Sequence, residues 1–416
     1  MYPDRTLSDR AFDPVSPPRD TRMSAQKTTV LFTGYAPVHF VCFRPLYERL
    51  VKSSEFDVFV SGGLRTESEG QVLHDARGLY EPFGIPAHRI LTVEELQTRD
   101  FDLLFGANTK LISPRSAGTR VQIFHGISFR NKSVRDENMG CDHYFMIGPY
   151  MHRKFIEGGL LAPDDARALK IGFMKTDPLR GKSPDKQELL RRHGRDGMRP
   201  ILLYAPTGQK NNSLETMGEE VIRRLAATGR YDIFIKLHDH PKDESVDWAA
   251  RLAPLEDEHT RVAREPDVVP LMCLSDLLIS DASSVSSEYS LLDRPMVFLD
   301  VPLLLRKAIK TGALDIETWG RRAGVIVRSP EAIVATVERS LAVPQALSQV
   351  RQDMAADLFY NPGHATDVAM EWLLRRTRHD TLAPVAGPAP ENARHLVPLK
   401  TVPAPSTGVV TSNPPA

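Results

Sequence analysis

The chain has 416 residues, with 53 Lys plus Arg against 53 Asp plus Glu, so its formal net charge is zero. That balance supplies no global basic field, and nucleic acid is not an expected partner. Its 41% hydrophobic and 25% charged content fits a globular chain long enough for two full cores, and no run approaches the ~18 apolar residues of a membrane helix.

Residues 1–26 are polar and Pro-rich, lack the apolar stretch of a signal peptide, and read as a disordered tail. Short apolar runs then predict strands at 28–34, 57–63, 102–108, 121–126, 143–148 and 169–173. Helices fit 41–52 and 149–157 between them. The segment KTDPLRGKSPDK (175–186) reads as a linker. A second set of strands follows at 201–207, 232–238, 261–265, 276–280, 296–300 and 324–328. Helices there fit 213–228, 243–252, 284–293, 330–342 and 346–357, with a last one at about 365–378. Strands alternating with helices imply parallel sheets joined by right-handed crossovers. The expected fold class is therefore α/β, with two Rossmann-like domains whose parallel sheets face a central cleft. The expected bounds are 27–180 for the first domain and 181–345 for the second. Helices over 346–379 are expected to follow, the last crossing back to the first domain, before a Pro-rich disordered tail at 380–416. Cys42, Cys141 and Cys273 match no metal or disulfide spacing and read as core thiols of a reducing, cytoplasmic compartment.

Ligands of parallel sheets sit at the carboxyl ends of the strands, and several unusual residues fall there. SDLLISDASSVSSEYSLLDRPMVFLD (275–300) reads as buried strand, Ser-rich turn, short helix and buried strand. A helix start leaves backbone N–H groups unpaired, so Ser283 and Ser284 are candidates to bind a pyrophosphate; plain N-capping uses the same residue types. Glu288, one helical turn further, is a candidate for ribose hydroxyls, or else a solvated helix charge. His125 follows the strand VQIF and would be a proton acceptor near pH 7, or a histidine bonded to the next loop. Gly126 beside it would let a substrate approach the backbone. Thr207 ends ILLYAPT as a phosphate ligand or a simple turn residue. His238 ends DIFIKLH, with His240 as a competitor, and Lys236 lies two residues before it on the same strand face. No GxxxxGK[ST], HExxH or Cys/His cluster is present, so neither a metal nor a cofactor is expected.

Six of these segments resemble, in matching order over about 121–377, the CDP-glycerol glycerophosphotransferase family that builds teichoic acid polymers. FHGISFRNKS (124–133) is similar to its WHGT-P-x-K segment, and GFMKTDPL (172–179) to its G-x-P-R-N-D-x-L linker. YAPTGQ resembles YAPTWR, and IKLH matches a strand-end histidine. SDASSVSSEYSLLDRPMVFLD resembles S-D-Y-S-S-V…D…P, and NPGHATDVAMEWLL (361–374) resembles the final Gly-x-Ala helix. Ala282 stands for the family's Tyr, Phe124 for Trp, Met174-Lys175 for Pro-Arg, Gly208 for Trp and Glu288 for Asp. The resemblance implies a GT-B architecture with the nucleotide held mainly by the second domain. It implies transfer of glycerol phosphate from CDP-glycerol, or a related CDP-polyol, to a hydroxyl, with release of CMP. His125 matches the first-domain catalytic histidine, His238 the second-domain one, and Ser283 and Ser284 the pyrophosphate-binding serines. The implied acceptor is lipid-linked or polymeric, which makes peripheral contact with the inner membrane face an expectation. Trp372-Leu373-Leu374 followed by Arg375-Arg376-Thr377-Arg378 is the candidate contact, a solvated helix end being its other reading. Two further readings keep the fold: a UDP-sugar glycosyltransferase or nucleotide-sugar epimerase, and a non-catalytic surface-polysaccharide assembly factor.

Overall fold

The computed structural model describes residues 27–68, 71–107, 112–127, 134–238, 246–310, 315 and 318–380. The expected tails, the FRNKS half of the first motif and His240 lie outside the described residues. The chain divides into a compact unit ending at Leu374 and a second unit from Arg375.

The first unit opens with β1 (Thr28–Gly34), α1 (Pro37–Leu50), β2 (Phe56–Gly62) and a hairpin of β3 (Leu64–Ser68) and β4 (Gln71–Asp75). Next come α2 (Ala76–Tyr80), β5 (Ile90–Leu91), α3 (Val93–Leu96), β6 (Asp100–Gly106) and β7 (Ser116–Ile123). The strands β8 (His143–Phe145) and β9 (Ala168–Leu169) flank α4 (Pro149–Glu157). Seven of these strands form one sheet in the order β5-β2-β1-β6-β7-β8-β9, all pairs parallel. Val30, Phe32, Val58, Val60, Leu103 and Phe105 are buried under α1, as expected for a sheet covered by helices.

The connecting stretch contains α5 (Asp177–Arg180) and α6 (Lys186–Arg192). The second sheet is built from β10 (Ile201–Tyr204), α7 (Glu219–Ala226), β11 (Asp232–Lys236), α8 (Trp248–Leu252), β12 (Thr260–Ala263) and α9 (Val269–Leu274). It continues through β13 (Leu277–Ser280), α10 (Val285–Tyr289), β14 (Met296–Leu299), α11 (Pro302–Lys310) and β15 (Val325–Val327). Its order is β12-β11-β10-β13-β14-β15, again wholly parallel. Leu202, Ile233, Leu277 and Val297 pack to one face with α7 and α8. The alternate positions Leu203, Phe234, Leu278 and Met296 join a cluster that also holds Tyr150 and Phe155 of α4.

Among the described residues, the second sheet is followed by α12 (Ile333–Ala342), α13 (Ser348–Leu358) and α14 (Ala365–Asp380). Ala365, Ala369, Met370 and Leu373 of α14 belong to the core of the first sheet. The linker supplies the cap. Asp177 accepts the backbone N–H groups of Ala365 (2.9 Å) and Thr366 (2.8 Å) and the Thr366 hydroxyl (2.6 Å), which satisfies helix donors that have no partner in their own helix.

Four expectations need correction. The hairpin β3–β4 is absent from the sequence reading, because LRTESEGQVLHD is too polar to register as strand. Gly63 makes it feasible: φ is +132° there, and a Cβ would meet the Asp75 carbonyl carbon at 2.2 Å. The helix expected at 213–228 starts as a wide π turn, Leu214–Gly218, before α7. Gly218 faces the Tyr204 hydroxyl so closely that a Cβ would sit 2.3 Å away. Lastly, Trp372 and Leu373 are not a membrane-facing patch. The Trp372 ring packs edge-on against His143 and Phe145, and Leu373 is fully buried. The fourth concerns Glu288 and belongs with the site.

Candidate active site

His125 stands two residues past β7, exposed, just after the buried Phe124. Its Nδ1 lies 2.5 Å from the carbonyl oxygen of Ala107, which follows β6. A carbonyl oxygen only accepts, so Nδ1 carries a hydrogen, and in the neutral ring Nε2 is then the accepting nitrogen. That is the tautomer a general base needs. A Cβ built on Gly126 would meet nothing within 4 Å among the described residues. His39 of α1, which the sequence reading missed, lies with its ring centroid 5.0 Å from that of His125. It is buried, and its Nδ1 accepts the Tyr35 N–H at 3.2 Å. Its Nε2 therefore bears the proton. In HFVCF it reads as one more position of an apolar helix, and nothing in the pattern marks it.

At the carboxyl ends of the second sheet, Asp281 is the organising residue. It is fully buried. Oδ1 accepts the N–H groups of Thr207 (2.9 Å) and Ala282 (2.6 Å), and Oδ2 accepts the Ser213 N–H (3.0 Å) and hydroxyl (2.9 Å). The turn after β13 is thereby locked to the loop after β10. Tyr204 extends the network, its hydroxyl 2.8 Å from that of Ser213. Thr207 is buried, donates its backbone N–H to Asp281 and lines a cavity. This cavity of about 350 Å³ is lined by Pro206, Thr207, Leu237, His238 and Trp248 among others. His238 is exposed at its wall. Lys236 is not brought there: its ammonium donates to the Leu237 carbonyl at 3.0 Å. Ser283 is buried and Ser284 exposed at the start of α10. The Ser283 hydroxyl lies 3.4 Å from the Val285 N–H, a weak cap.

Glu288 is neither a solvated helix charge nor a carboxylate open to ribose. It is buried, and Lys175 of the linker sits 3.0 Å from Oε1 and 2.8 Å from Oε2. The sequence separates the two by 113 residues, so neither identifies the other. Burial is the strongest single effect on Lys175 and opposes its charge, but the Glu288 carboxylate together with Cys42 and Asp267 outweighs it, and the lysine pKa is raised. Burial pushes the Glu288 carboxyl up, against the pull of Lys175. The thiol of Cys42 on α1 is part of the same electrostatic cluster and is raised to about 12, chiefly by burial. The pair thus pins α10, which follows the Ser-rich turn, to the linker near the first sheet.

The family described as CDP-Glycerol:Poly(glycerophosphate) glycerophosphotransferase matches residues 119–361, more than half of the chain. The teichoic acid glycerol-phosphate primase of Bacillus spizizenii is 28% identical over 167 residues, 40% of this chain and 39% of that protein. The teichoic acid poly(glycerol phosphate) polymerase of Staphylococcus epidermidis is 26% identical over 166 residues, 37% of this chain and 22% of that protein. The matched stretch thus spans well under half the length of these curated relatives. Among solved structures, the wall teichoic acid polymerase TagF has a TM-score of 0.58 at 18% identity, covering 86% of this chain and 90% of that one. The S. aureus MnaA–UDP structure has a TM-score of 0.52 at 12% identity, covering 86% and 99%. These structural likenesses give the fold, GT-B with two Rossmann-like domains. The chain belongs to the CDP-glycerol:poly(glycerophosphate) glycerophosphotransferase family, a family of enzymes.

Proposed function

We propose that this protein moves glycerol phosphate, or a related polyol phosphate, from a CDP-activated donor to a hydroxyl of a surface-polymer acceptor and releases CMP. The observation that supports this most directly is the bond between His125 Nδ1 and the Ala107 carbonyl, which in the neutral ring makes Nε2 the proton-accepting nitrogen. The acceptor hydroxyl attacks the β-phosphorus, and its proton passes to Nε2 of His125. The bond from that phosphorus to the bridging oxygen breaks, and the oxygen leaves with CMP. The nucleoside fits the cavity beside Thr207, His238 and Trp248, whose lining is mainly apolar. The turn at Ser283 and Ser284 receives the pyrophosphate. A preorganised donor of this kind is worth about 2.7–4 kcal/mol when charge develops on a leaving oxygen. Glu288 acts through structure only, by holding α10 in place through Lys175.

A lipid-linked acceptor would bring the protein to a membrane surface. Among the described residues no helix is long and apolar enough to cross one. The outer face of α11 suits peripheral contact, because Leu303 and Ile309 are exposed beside Arg306, Lys307 and Lys310.

The test is CMP release from CDP-glycerol with a glycerol-phosphate acceptor, for the wild type and His125→Asn. The wild type should turn over only with acceptor present. The variant should lose about 10²–10⁴-fold in turnover, the usual share of a positioned base, while binding CMP as before. Turnover within a few-fold of wild type would overturn the base assignment.

A further inference from the structure

A second cavity, of about 390 Å³, opens on the β5 edge of the first sheet, away from the residues assigned above. Two arginines and two histidines line it, Arg77, Arg99, His74 and His88, together with Asp75 and Glu95. The two carboxylates are committed to backbone. Asp75 accepts the Gly78 N–H at 2.8 Å, and Glu95 the Thr92 N–H at 2.9 Å. The cations are not so committed. The Arg99 guanidinium lies over the Phe59 ring at 5.6 Å and meets no carboxylate among the described residues. Arg77 approaches Glu81 only to 3.9 Å. Nδ1 of His74 is buried with no hydrogen-bond partner among the described residues. Guanidinium groups without a tight counter-ion, lining one cavity with two histidines, make a receptor for a phosphate group.

The sheet register relates this cavity to the candidate active site. Leu91 pairs with Ser61, Ser61 with Thr33, Thr33 with Gly106, and Gly106 with Gln122. One transverse row therefore runs from the cavity wall to a point three residues before His125. Four strand spacings separate its ends, about 19 Å. A single polyol phosphate does not span that distance, but a chain of them does.

We propose that this cavity binds a phosphodiester of the acceptor chain and anchors a polymeric acceptor across the carboxyl edge of the first sheet. This rests on the polyol-phosphate transfer reading. The cavity would then set affinity for long acceptors and leave the chemical step untouched.

The test uses the full chain carrying Arg77→Gln and Arg99→Gln. Both side chains are exposed, so the fold should persist. The probes are synthetic glycerol-phosphate oligomers of one to eight units. Binding is read by titration and transfer by CMP release. The variant should bind the longest oligomers at least tenfold more weakly and show a matching rise in KM. Its kcat, its KM for the shortest acceptor and its CDP-glycerol binding should equal those of the wild type. Equal binding of long oligomers by variant and wild type would overturn the proposal, as would one common loss at every length. Loss of binding to phosphatidylglycerol vesicles with oligomer binding intact would identify a lipid headgroup as the ligand and also overturn it. The titration judges the cavity even if CDP-glycerol is not the donor, so the two readings fail separately.

Discussion

Asp281→Asn is the sharpest perturbation of the second sheet's site. The substitution keeps size and shape and exchanges one oxygen for an NH₂ group. The native carboxylate accepts from three backbone N–H groups and one hydroxyl. With the new NH₂ turned toward Thr207 and Ala282, two backbone donors face a donor. With it turned toward Ser213, the hydroxyl can reverse and accept, and one backbone N–H is orphaned. The second arrangement costs less. An orphaned buried donor costs about 1–3 kcal/mol, and the surviving bonds each weaken as their acceptor loses its charge. The expected loss is about 2–4 kcal/mol, measured as a lower urea midpoint at unchanged slope. Because the carboxylate joins the Thr207 loop to the Ser283 turn, CMP binding should also weaken, by roughly tenfold, equivalent to about 1.4 kcal/mol. A stability loss below about 0.5 kcal/mol, the range of ordinary surface substitutions, would refute the reasoning that Asp281 holds the two loops together.

The buried pair gives a second prediction. Lys175→Met leaves the Glu288 carboxylate without its cation and should cost about 3–5 kcal/mol, while Lys175→Met with Glu288→Leu should recover most of it; urea unfolding of both variants decides, and an equal loss in both would reject the pairing argument. Stability should also fall in mild acid. Burial holds His152 and His193 below the usual histidine range, with Lys170 adding to the effect at His152 and Glu265 opposing it at His193. A depressed histidine is neutral when folded and gains a proton on unfolding, so its contribution is present above the unfolded pKa of about 6.5 and is lost as pH falls toward the folded value. The urea midpoint should drop between pH 7.5 and 5.5, and His152→Gln with His193→Gln should flatten that drop; an unchanged slope would count against it. At the membrane, wild-type protein should sediment with anionic vesicles, and Leu303→Glu with Ile309→Glu should stay in solution; equal sedimentation would remove α11 as the contact.

The two parallel sheets were legible because their strands are continuous apolar runs bounded by turns, and β1 (Thr28–Gly34) has the bounds its pattern predicts. The hairpin after β2 was not, since its stability comes from a glycine conformation and a partner strand rather than from hydrophobicity. Candidate residues divide the same way. His125 and the Ser283-Ser284 turn stand at strand ends, a position that periodicity reveals. The Asp281 network was hidden because its partners at 207 and 213 lie 74 and 68 residues away. Glu288 was misread for the same reason. On a helix diagram it is a charge one turn behind a serine, and only the fold supplies Lys175. His39 is hidden by chemistry: a histidine among Phe, Val and Cys in a helix has the signature of core packing.

The most direct test of the transfer reading is calorimetric titration of the purified protein with CDP-glycerol and, separately, with UDP-N-acetylglucosamine. The account predicts a saturable isotherm for CDP-glycerol, competed by CMP, and no comparable binding of the UDP-sugar. Tight binding of UDP-N-acetylglucosamine with none of CDP-glycerol would contradict it and assign the same fold to nucleotide-sugar chemistry.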